Sequence, residues 1–380
     1  MPIGIDYTAA YEQGAGIGRY VRELIAALAK CDTQQTYRLF VAGASGHRLP
    51  PAPGPKFSWS ATRITPLWFA RIWHRAQIPL PVETFTGRIQ LFHATDFTLP
   101  PTLPGTKTLL TVHDLSFVRA PETATPVLKA YLDQVVPRSV RRATHVLADS
   151  QATKDDLIEF YGTAPEKISV LLSGVTANFK PVTDSETRKA VRERYNIQEN
   201  PYIFSIGTVQ PRKNYARLIE ALATLGASYA DVHVVIAGGR GWLDDPIYQT
   251  VQRLGLADRV HFIGFARDED LPALYTDAAC VAYPSLYEGF GFPVLEAMAC
   301  GTPTLTSDVS SMPEVAGDAA LMVDPYDVEA IADALKQLLS DHTLRAELIV
   351  RGYQQASQFT WTRSAQQLKT IYRHLLEGAL

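Results

Sequence analysis

The sequence of 380 residues has little cysteine, no strong net charge and no long apolar run. Its three cysteines, Cys31, Cys280 and Cys300, share no metal-ligand spacing, and the apolar surroundings of the last two predict small buried thiols, as in a reducing compartment. The net charge of −3, from 36 basic and 39 acidic residues, gives no electrostatic footprint for nucleic acid. No stretch approaches the roughly 20 apolar residues of a membrane span, and the N-terminus lacks the basic region of a secretory signal. These absences predict a cytoplasmic protein and leave peripheral contact with the cytoplasmic face of a membrane open.

What the sequence does contain is an alternation of short apolar runs with helical-period segments. Because 380 residues are too many for one ordinary core, two domains are expected. Apolar runs bounded by turn residues are typical of parallel strands buried on both faces, and their alternation with helices in both halves predicts two doubly wound α/β domains. The strand-like runs are "MPIGID", "YRLFVAG", "TLLTVHD", "THVLADS", "ISVLLSG", "YIFSIGT", "VHVVIAGG", "VHFIGF", "CVAYPS" and "TPTLTSD".

The boundary between the domains is expected in "FKPVTDSETRKAVRERYNIQENP", which is polar and contains no strand-like run. This predicts a first domain over 1–180, a linker over 181–200 and a second domain over 201–359. The tail, 360–380, needs a surface to cover, and either domain could provide it. Its apolar residues recur at helical spacing: Ala365, Leu368, Ile371, Tyr372 and Leu375.

A glycine-rich loop, "QGAGIGRYV", leads into the first long helical pattern. Loops of this kind let backbone amides reach a phosphate at a helix N-terminus. A nicotinamide-binding fingerprint would need glycine where Arg19 stands, so a dinucleotide dehydrogenase is disfavoured. Gly16 and Gly18 therefore fit either a ligand contact or a structural turn.

A basic pair, Arg212 and Lys213, follows the strand that ends near Gly207. Ligands of doubly wound sheets bind beyond the carboxyl ends of the strands, where two adjacent cations could hold a diphosphate. The alternative is a solvated basic pair. Asn214 is predicted to cap the next helix.

His113 and Asp114 close another strand, "TLLTVHD". A lone histidine is often structural, whereas its place at a strand's carboxyl end favours a role in the site. Both interpretations of His113 stay open, and Asp114 is given no catalytic role.

Two glutamates bracket an anion-binding element in "YEGFGFPVLEAMACGTP". Pro293 suits the first turn of a helix, and the backbone amides of Gly289 to Gly291 stand just before it. Glu288 and Glu296 would be repelled by a bound phosphate, but both could accept hydrogen bonds from hydroxyls on either side of a diphosphate. A nucleotide sugar has this pattern.

Taken together, these motifs make the chain resemble the retaining glycosyltransferases of family 4, which adopt the GT-B fold. The resemblance runs nearly end to end, through "GAGIGRYV", "TVHDLSF", "VLADSQATKDDL", "SIGTVQPRKNYARLIEA", the E-x7-E element and "FTWTRSAQQL". It implies two Rossmann-like domains facing across a cleft, with the final helix crossing back to the first. It also implies a nucleotide-sugar donor on the second domain and an acceptor on the first.

The resemblance implies roles for the candidate residues. Glu296 would bond the donor ribose, Glu288 would lie against the transferred sugar, and His113 would line its reacting side. Phe265 would contact the base. The diphosphate would meet cations and backbone amides at Arg212, Lys213, Phe290, Gly291, Gly16 and Gly18.

The resemblance further implies a metal-independent reaction, in which the cations and a helix N-terminus replace a metal. The D-x-D-like run Asp268-Glu269-Asp270 begins a helical pattern, so acids complementing a helix dipole are the preferred interpretation. Retention would involve front-face attack, and a double displacement with Glu288 as nucleophile is the alternative.

The donor and acceptor are less constrained by the sequence. The "PRKN" and "YEGFGFPVLEAMACG" elements look most like the mannosyl branch, so GDP-mannose is expected, with UDP-glucose or UDP-GlcNAc as alternatives and a nucleotide-sugar epimerase as a further one. The acceptor is expected to be a glycan or lipid-linked saccharide. Segment 63–87 interleaves aromatic and basic residues, and it fits either a helix packed inward or a contact with an anionic membrane.

Overall fold

Every strand pairing in the computed structural model, which describes residues 1–14, 16–45 and 49–378, is parallel. Parallel neighbours need a crossover connection, and helices supply most of these connections. The strands of the first sheet are β1 (Ile3–Asp6), β2 (Tyr37–Ala42), β3 (Phe57–Thr62), β4 (Leu91–Ala94), β5 (Lys107–Val112), β6 (His145–Ala148) and β7 (Ile168–Val170). Those of the second are β8 (Tyr202–Ile206), β9 (His233–Ala237), β10 (Val260–Gly264), β11 (Cys280–Tyr283), β12 (Thr304–Ser307) and β13 (Leu321–Val323).

Helices connect the strands of both sheets. Those among the first seven strands are α1 (Thr8–Glu12), α2 (Gly16–Cys31), α3 (Pro66–Phe69), α4 (Glu83–Thr86), α5 (Ser116–Arg119), α6 (Pro126–Arg142) and α7 (Gln151–Tyr161). The later ones are α8 (Ser185–Arg194), α9 (Tyr215–Thr224), α10 (Asp245–Arg253), α11 (Leu271–Asp277), α12 (Phe292–Ala299), α13 (Met312–Ala316), α14 (Val328–Ser340), α15 (His342–Ser357) and α16 (Trp361–Glu377). Within the described residues, no helix has the length and apolar character needed to cross a membrane.

The strand order confirms the doubly wound architecture. The first sheet runs β3-β2-β1-β4-β5-β6-β7 and the second β10-β9-β8-β11-β12-β13. All ten predicted strands are present, and β3, β4 and β13 are additional. β3 is a partly exposed edge strand with polar residues, and β13 is only three residues long, so neither carries a continuous apolar signal.

The chain separates into two compact units. They comprise 1–115, 130–174 and 360–380 in the first and 116–129 and 175–359 in the second. The predicted linker, 181–200, thus lies inside the second unit, because it folds into α8. Val191 of α8 is buried, and Arg192 pairs with Asp277 of α11.

The final helix, α16, belongs to the first unit, as the family resemblance implied. It packs on α2, and its predicted apolar stripe is buried. Tyr372 of this stripe shares a hydrogen bond of 2.7 Å with His93 Nδ1 on β4. The helix therefore completes the core of the first unit.

Candidate functional site

The candidate donor site lies at the carboxyl edge of the second sheet. β8 and β11 are adjacent and parallel, so the chain leaves both strands at the same edge. Arg212 and Lys213 follow β8 in a short 3₁₀ turn, Pro211–Lys213, and Glu288 follows β11. The topology thus brings together residues 75 positions apart in sequence.

Glu288 forms ion pairs with both predicted phosphate-binding cations. Its Oε2 lies 2.7 Å from Arg212 Nη1, and its Oε1 lies 2.7 Å from Lys213 Nζ. Glu288 is 7% exposed and Lys213 9%, so the basic pair is not the solvated pair considered as an alternative. Burial by itself raises the pKa of Glu288, but the two cations and their hydrogen bonds lower it to about 2. We call Arg212, Lys213 and Glu288 the ion triad.

Tyr283, the last residue of β11, holds Lys213 in place. Lys213 Nζ donates a hydrogen bond to the phenol oxygen and lies 4.9 Å from the ring centroid. Burial, reinforced by the charge of Glu288, raises the pKa of Tyr283 well above its ordinary value. Sequence reasoning missed this residue, although its place at a strand's carboxyl end marks it as a neighbour of the site.

Gly207 follows β8 with a φ of 144°, a conformation that side chains rarely adopt. A Cβ on this residue would lie 2.9 Å from Lys213 Cε. The carbonyl of Gly207 accepts a hydrogen bond of 3.0 Å from the Tyr215 hydroxyl. Glycine at this position leaves room for the lysine stem.

Helix α12 begins after Gly291, as the position of Pro293 predicted. Gly291 has a φ of 107°, and a Cβ would lie 2.3 Å from Met312 Cε. The positive φ favours glycine at the last position of the loop 288–291, and a Cβ would require the buried side chain of Met312 to shift.

Ser310 and Ser311 hold this loop through hydrogen bonds to its backbone. The backbone N–H of Glu288 donates to Ser310 Oγ at 3.0 Å. Ser311 Oγ bonds the carbonyls of Glu288 and Phe290, each at 2.9 Å. The predicted site did not include either serine, because their approach to the loop depends on the β12 to α13 connection.

Glu296 lies on α12 and is 3% exposed. One of its oxygens accepts a hydrogen bond of 2.7 Å from Tyr275 on α11. Phe265, the predicted base contact, follows β10 and is 66% exposed. Glu296 is thus oriented by the protein, whereas Phe265 presents its ring to solvent.

The side chains of Asn214, predicted as a helix cap, and Asp270, predicted to complement a helix dipole, both bond residues outside the helices that they precede. Asn214 stands at the start of α9, but its side chain makes no capping bond and donates instead to the carbonyls of Pro284 and Pro325, at 2.9 and 2.6 Å. Asp270 precedes α11 and bonds Arg194 and the hydroxyl of Tyr195. Both side chains tie loops together.

His113 lies in the first unit, where both of its ring nitrogens are engaged. Nδ1 lies 2.7 Å from Asp149 Oδ2, and Nε2 lies 2.9 Å from the carbonyl of Thr95. Burial alone lowers the pKa of His113, but Asp149 and these hydrogen bonds raise it to about 9. His113 is therefore an imidazolium at neutral pH. Asp149 was missed by sequence reasoning, although it follows β6, the neighbour of β5.

The glycine loop also lies in the first unit, where α2 begins at Gly16. A Cβ at Gly18 would lie 2.0 Å from the carbonyl oxygen of Gln13, so close packing of the helix on α1 and its following turn accounts for this glycine. Gly16 is exposed at the helix N-terminus. The structure thus gives Gly18 a packing role and leaves Gly16 open to a ligand.

Comparison with known proteins agrees with this architecture. Two family models match, Glycosyltransferase Family 4 over residues 14–179 and Glycosyl transferases group 1 over residues 187–355. The O-antigen chain mannosyltransferase B of Escherichia coli is 31% identical over 374 residues, which cover 95% of this chain and 96% of that protein.

Solved structures show the same fold. Sucrose-phosphate synthase from Thermosynechococcus elongatus superposes with a TM-score of 0.78 at 21% identity, over 100% of both chains. HepE of Anabaena, in complex with UDP-glucose, gives 0.74 at 19% identity, over 98% of this chain and 99% of that one. These likenesses confirm the predicted fold class, two Rossmann-like α/β domains of the GT-B type. The chain therefore belongs to the glycosyltransferases, with a Family 4 region followed by a group 1 region.

Proposed function

We propose that this protein is a retaining, metal-independent hexosyltransferase that moves mannose from GDP-mannose to a glycan or lipid-linked saccharide in polysaccharide biosynthesis. The observation that carries the proposal is the buried ion triad, which lies beside the loop leading into α12. Two cations, backbone amides and two oriented glutamates match the phosphates and hydroxyls of a nucleotide sugar.

Charge stabilisation is the main catalytic effect in this proposal. Cleavage of the sugar–phosphate bond leaves negative charge on the diphosphate, and Arg212, Lys213 and the amides near Gly291 are already in place to stabilise it. Glu288 binds the transferred sugar, and Glu296 binds the ribose. Because the cations take over the usual work of a metal ion, the proposed reaction needs none.

His113 has an electrostatic part in the proposal. An imidazolium that donates from both nitrogens to Asp149 and Thr95 has no lone pair with which to accept a proton. We therefore assign proton removal from the acceptor to the leaving phosphate, as in front-face attack, and place His113 along the reacting side of the sugar.

The choice of mannose is supported by the mannosyltransferase from Escherichia coli, which is similar to nearly the whole chain. HepE, with UDP-glucose bound, supports the alternative of a uridine donor. A thermal-shift screen with GDP, GDP-mannose, UDP, UDP-glucose and UDP-GlcNAc decides between them. Stabilisation by GDP and GDP-mannose alone is the expected result, stabilisation by the uridine ligands alone would favour the alternative, and no shift with any ligand would contradict a transferase.

Cytoplasmic location with membrane contact at the segment 63–87 completes the proposal. Phe69 and Trp73 pack inward, with ring centroids 4.0 Å apart, as the first interpretation predicted. Leu67 and Trp68 face outward at 60% and 54% exposure, and Arg71 lies 5.0 Å from the Trp68 ring centroid. Exposed apolar residues beside a cation suit an anionic lipid surface.

Vesicle flotation tests this contact. The wild type is expected to float with vesicles of anionic phospholipid and not with zwitterionic ones, and Trp68→Ser is expected to abolish flotation. Trp242→Ser, which removes a partly exposed tryptophan from the second unit, is the matched control. Equal flotation of wild type and Trp68→Ser would contradict the assignment.

A further inference from the structure

We propose that the Glu288 carboxylate makes the donor site discriminate the intact nucleotide sugar from the nucleoside diphosphate left after transfer. This inference rests on the proposed function, since it takes Arg212 and Lys213 as the diphosphate ligands. Glu288 then has two functions, binding of the transferred sugar and release of the product.

The protein itself already supplies an anion, the Glu288 carboxylate, to both cations. Each carboxylate oxygen of Glu288 lies 2.7 Å from a different cation, so the carboxylate spans the pair as a phosphate would. The ion triad as a whole carries one net positive charge instead of two. An incoming diphosphate must therefore share both cations with Glu288.

The main chain of Glu288 is held in place beside the cations. Its N–H is bonded to Ser310, and its carbonyl accepts a bond from Ser311 Oγ, so the backbone is held on both sides of the residue. Arg212 Nη1 also donates to the carbonyl of Tyr287 at 2.7 Å, which fixes the guanidinium beside the carboxylate. The carboxylate therefore stays within reach of both cations, the proposed ligands of the diphosphate.

The nucleotide sugar and the nucleoside diphosphate differ in charge. In a nucleotide sugar both phosphates are diesters, whereas a nucleoside diphosphate ends in a monoester whose second ionisation, near pH 6, adds negative charge at neutral pH. Two cations alone would hold the more negative product more tightly. The carboxylate of Glu288 opposes this preference, because like charges at short range repel.

The sugar itself provides the second difference between the ligands. The sugar hydroxyls can donate hydrogen bonds to the Glu288 carboxylate. These bonds replace part of the interaction that the carboxylate loses when it shares its two cations with the diphosphate. The product has no such donors, and it leaves a buried carboxylate poorly compensated. Both differences favour the donor over the product.

Calorimetric titration of the full chain with GDP, GDP-mannose, UDP and UDP-glucose tests the proposal. For the base that the wild type binds, Glu288→Gln is expected to bind the nucleoside diphosphate about fivefold or more tightly than wild type does, because the repulsion between carboxylate and phosphate is removed. Its affinity for the nucleotide sugar is expected to stay equal or fall. The ratio of the two affinities is the decisive quantity.

Two further variants keep the test sharp. Glu296→Gln, a substitution on α12 at a glutamate that is oriented by Tyr275, is expected to weaken both ligands in parallel. Glu288→Asp keeps the buried charge but draws it back from the cations, so it is expected to give an intermediate ratio even if Glu288→Gln fails to fold.

The outcomes separate the two proposals. If the wild type binds a ligand pair but neither Glu288 variant changes the affinity ratio, the discrimination by Glu288 is overturned and the donor assignment stands. If the wild type binds none of the four nucleotides, both are overturned.

Discussion

At the scale of single residues, Glu288 and Glu296 differ in their partners although one motif holds both. Glu288 contacts two cations, whereas Glu296 is oriented by the Tyr275 hydroxyl. Local motifs singled out both glutamates and both cations as candidates, and the family resemblance implied their roles. Tyr283 was missed although its place at the end of a strand was a usable signal, and Ser310 and Tyr275 could not be predicted, because contacts between residues distant in sequence leave no local pattern.

This difference predicts separate kinetic effects for the two glutamates. Glu288→Ala is expected to lower kcat by about 10²-fold, because the transferred sugar loses the carboxylate that binds and orients it. Glu296→Ala is expected to raise the donor KM about tenfold or more, because a hydrogen bond to a charged group is lost. Steady-state kinetics with the donor found in the thermal-shift screen measures both.

Tyr275→Phe and Glu347→Gln serve as controls for this prediction. The first removes the hydroxyl that orients Glu296 and is expected to raise KM in the same direction. The second changes an exposed glutamate on α15 and is expected to leave both constants unchanged. Equal effects of Glu288→Ala and Glu296→Ala on kcat and KM would contradict the division of roles.

His113 predicts a pH dependence of stability. Its pKa is raised to about 9 by Asp149, so this pair stabilises the fold fully below the unfolded value of about 6.5 and loses that contribution as pH rises through about 9. Denaturant unfolding is expected to show wild type more stable than Asp149→Asn by about 3 kcal/mol near pH 6, with little difference above about pH 9.5.

His93 offers the matched control in the same unit. Burial lowers its pKa to about 3, so it is neutral throughout this pH range. His93→Asn is expected to destabilise the protein by a constant amount above about pH 7.5 and by slightly less near pH 6, where the unfolded wild type takes up a proton at His93, so its trend is opposite to that expected for Asp149→Asn. A constant difference between wild type and Asp149→Asn would show that His113 is not charged.

At the scale of elements, the predictions from sequence were good where a pattern was long and apolar. All ten predicted strands and the apolar stripe of α16 are present, because buried parallel strands and amphipathic helices leave strong local signals. α8 was taken for a linker, because its residues are mostly charged and only Val191 is fully buried. Helices held mainly by ion pairs are difficult to tell from polar loops.

The start of α12 predicts a large effect of one added methyl group. Gly291→Ala is expected to destabilise the protein by about 2–4 kcal/mol, since it combines a strained φ with a clash against Met312. Gly162→Ala, at a φ of 60° with open space around the Cβ, carries the strain alone and is expected to cost about 1 kcal/mol. Thermal unfolding measures both, and equal costs would contradict the close contact.

At the scale of the whole molecule, membership of the two units could not be deduced from chain order. Residues 116–129 belong to the second unit and α16 to the first, so the chain passes between the units several times. The family resemblance implied the return of α16, but composition and periodicity left either domain as its partner. Only long-range packing decides such assignments.

The return of α16 gives the last prediction. Truncation after Phe359 would remove Leu368, Ile371 and Leu375 from the core, and each such side chain contributes about 1.5–3 kcal/mol when buried. It would also leave His93 without the Tyr372 hydroxyl. Since a domain is typically stable by only about 5–15 kcal/mol, the first unit is expected to unfold.

The second unit is expected to survive this truncation, because its core is formed by β8 to β13 and their helices. Limited proteolysis of the truncated chain should therefore cut first within 1–115 and 130–174 and spare 175–359. Tyr372→Phe, which removes a single hydroxyl, should leave both units resistant. Cleavage of both units at equal rates after truncation would contradict this expectation. It would mean that the second unit unfolds when the first does, although its own core is intact.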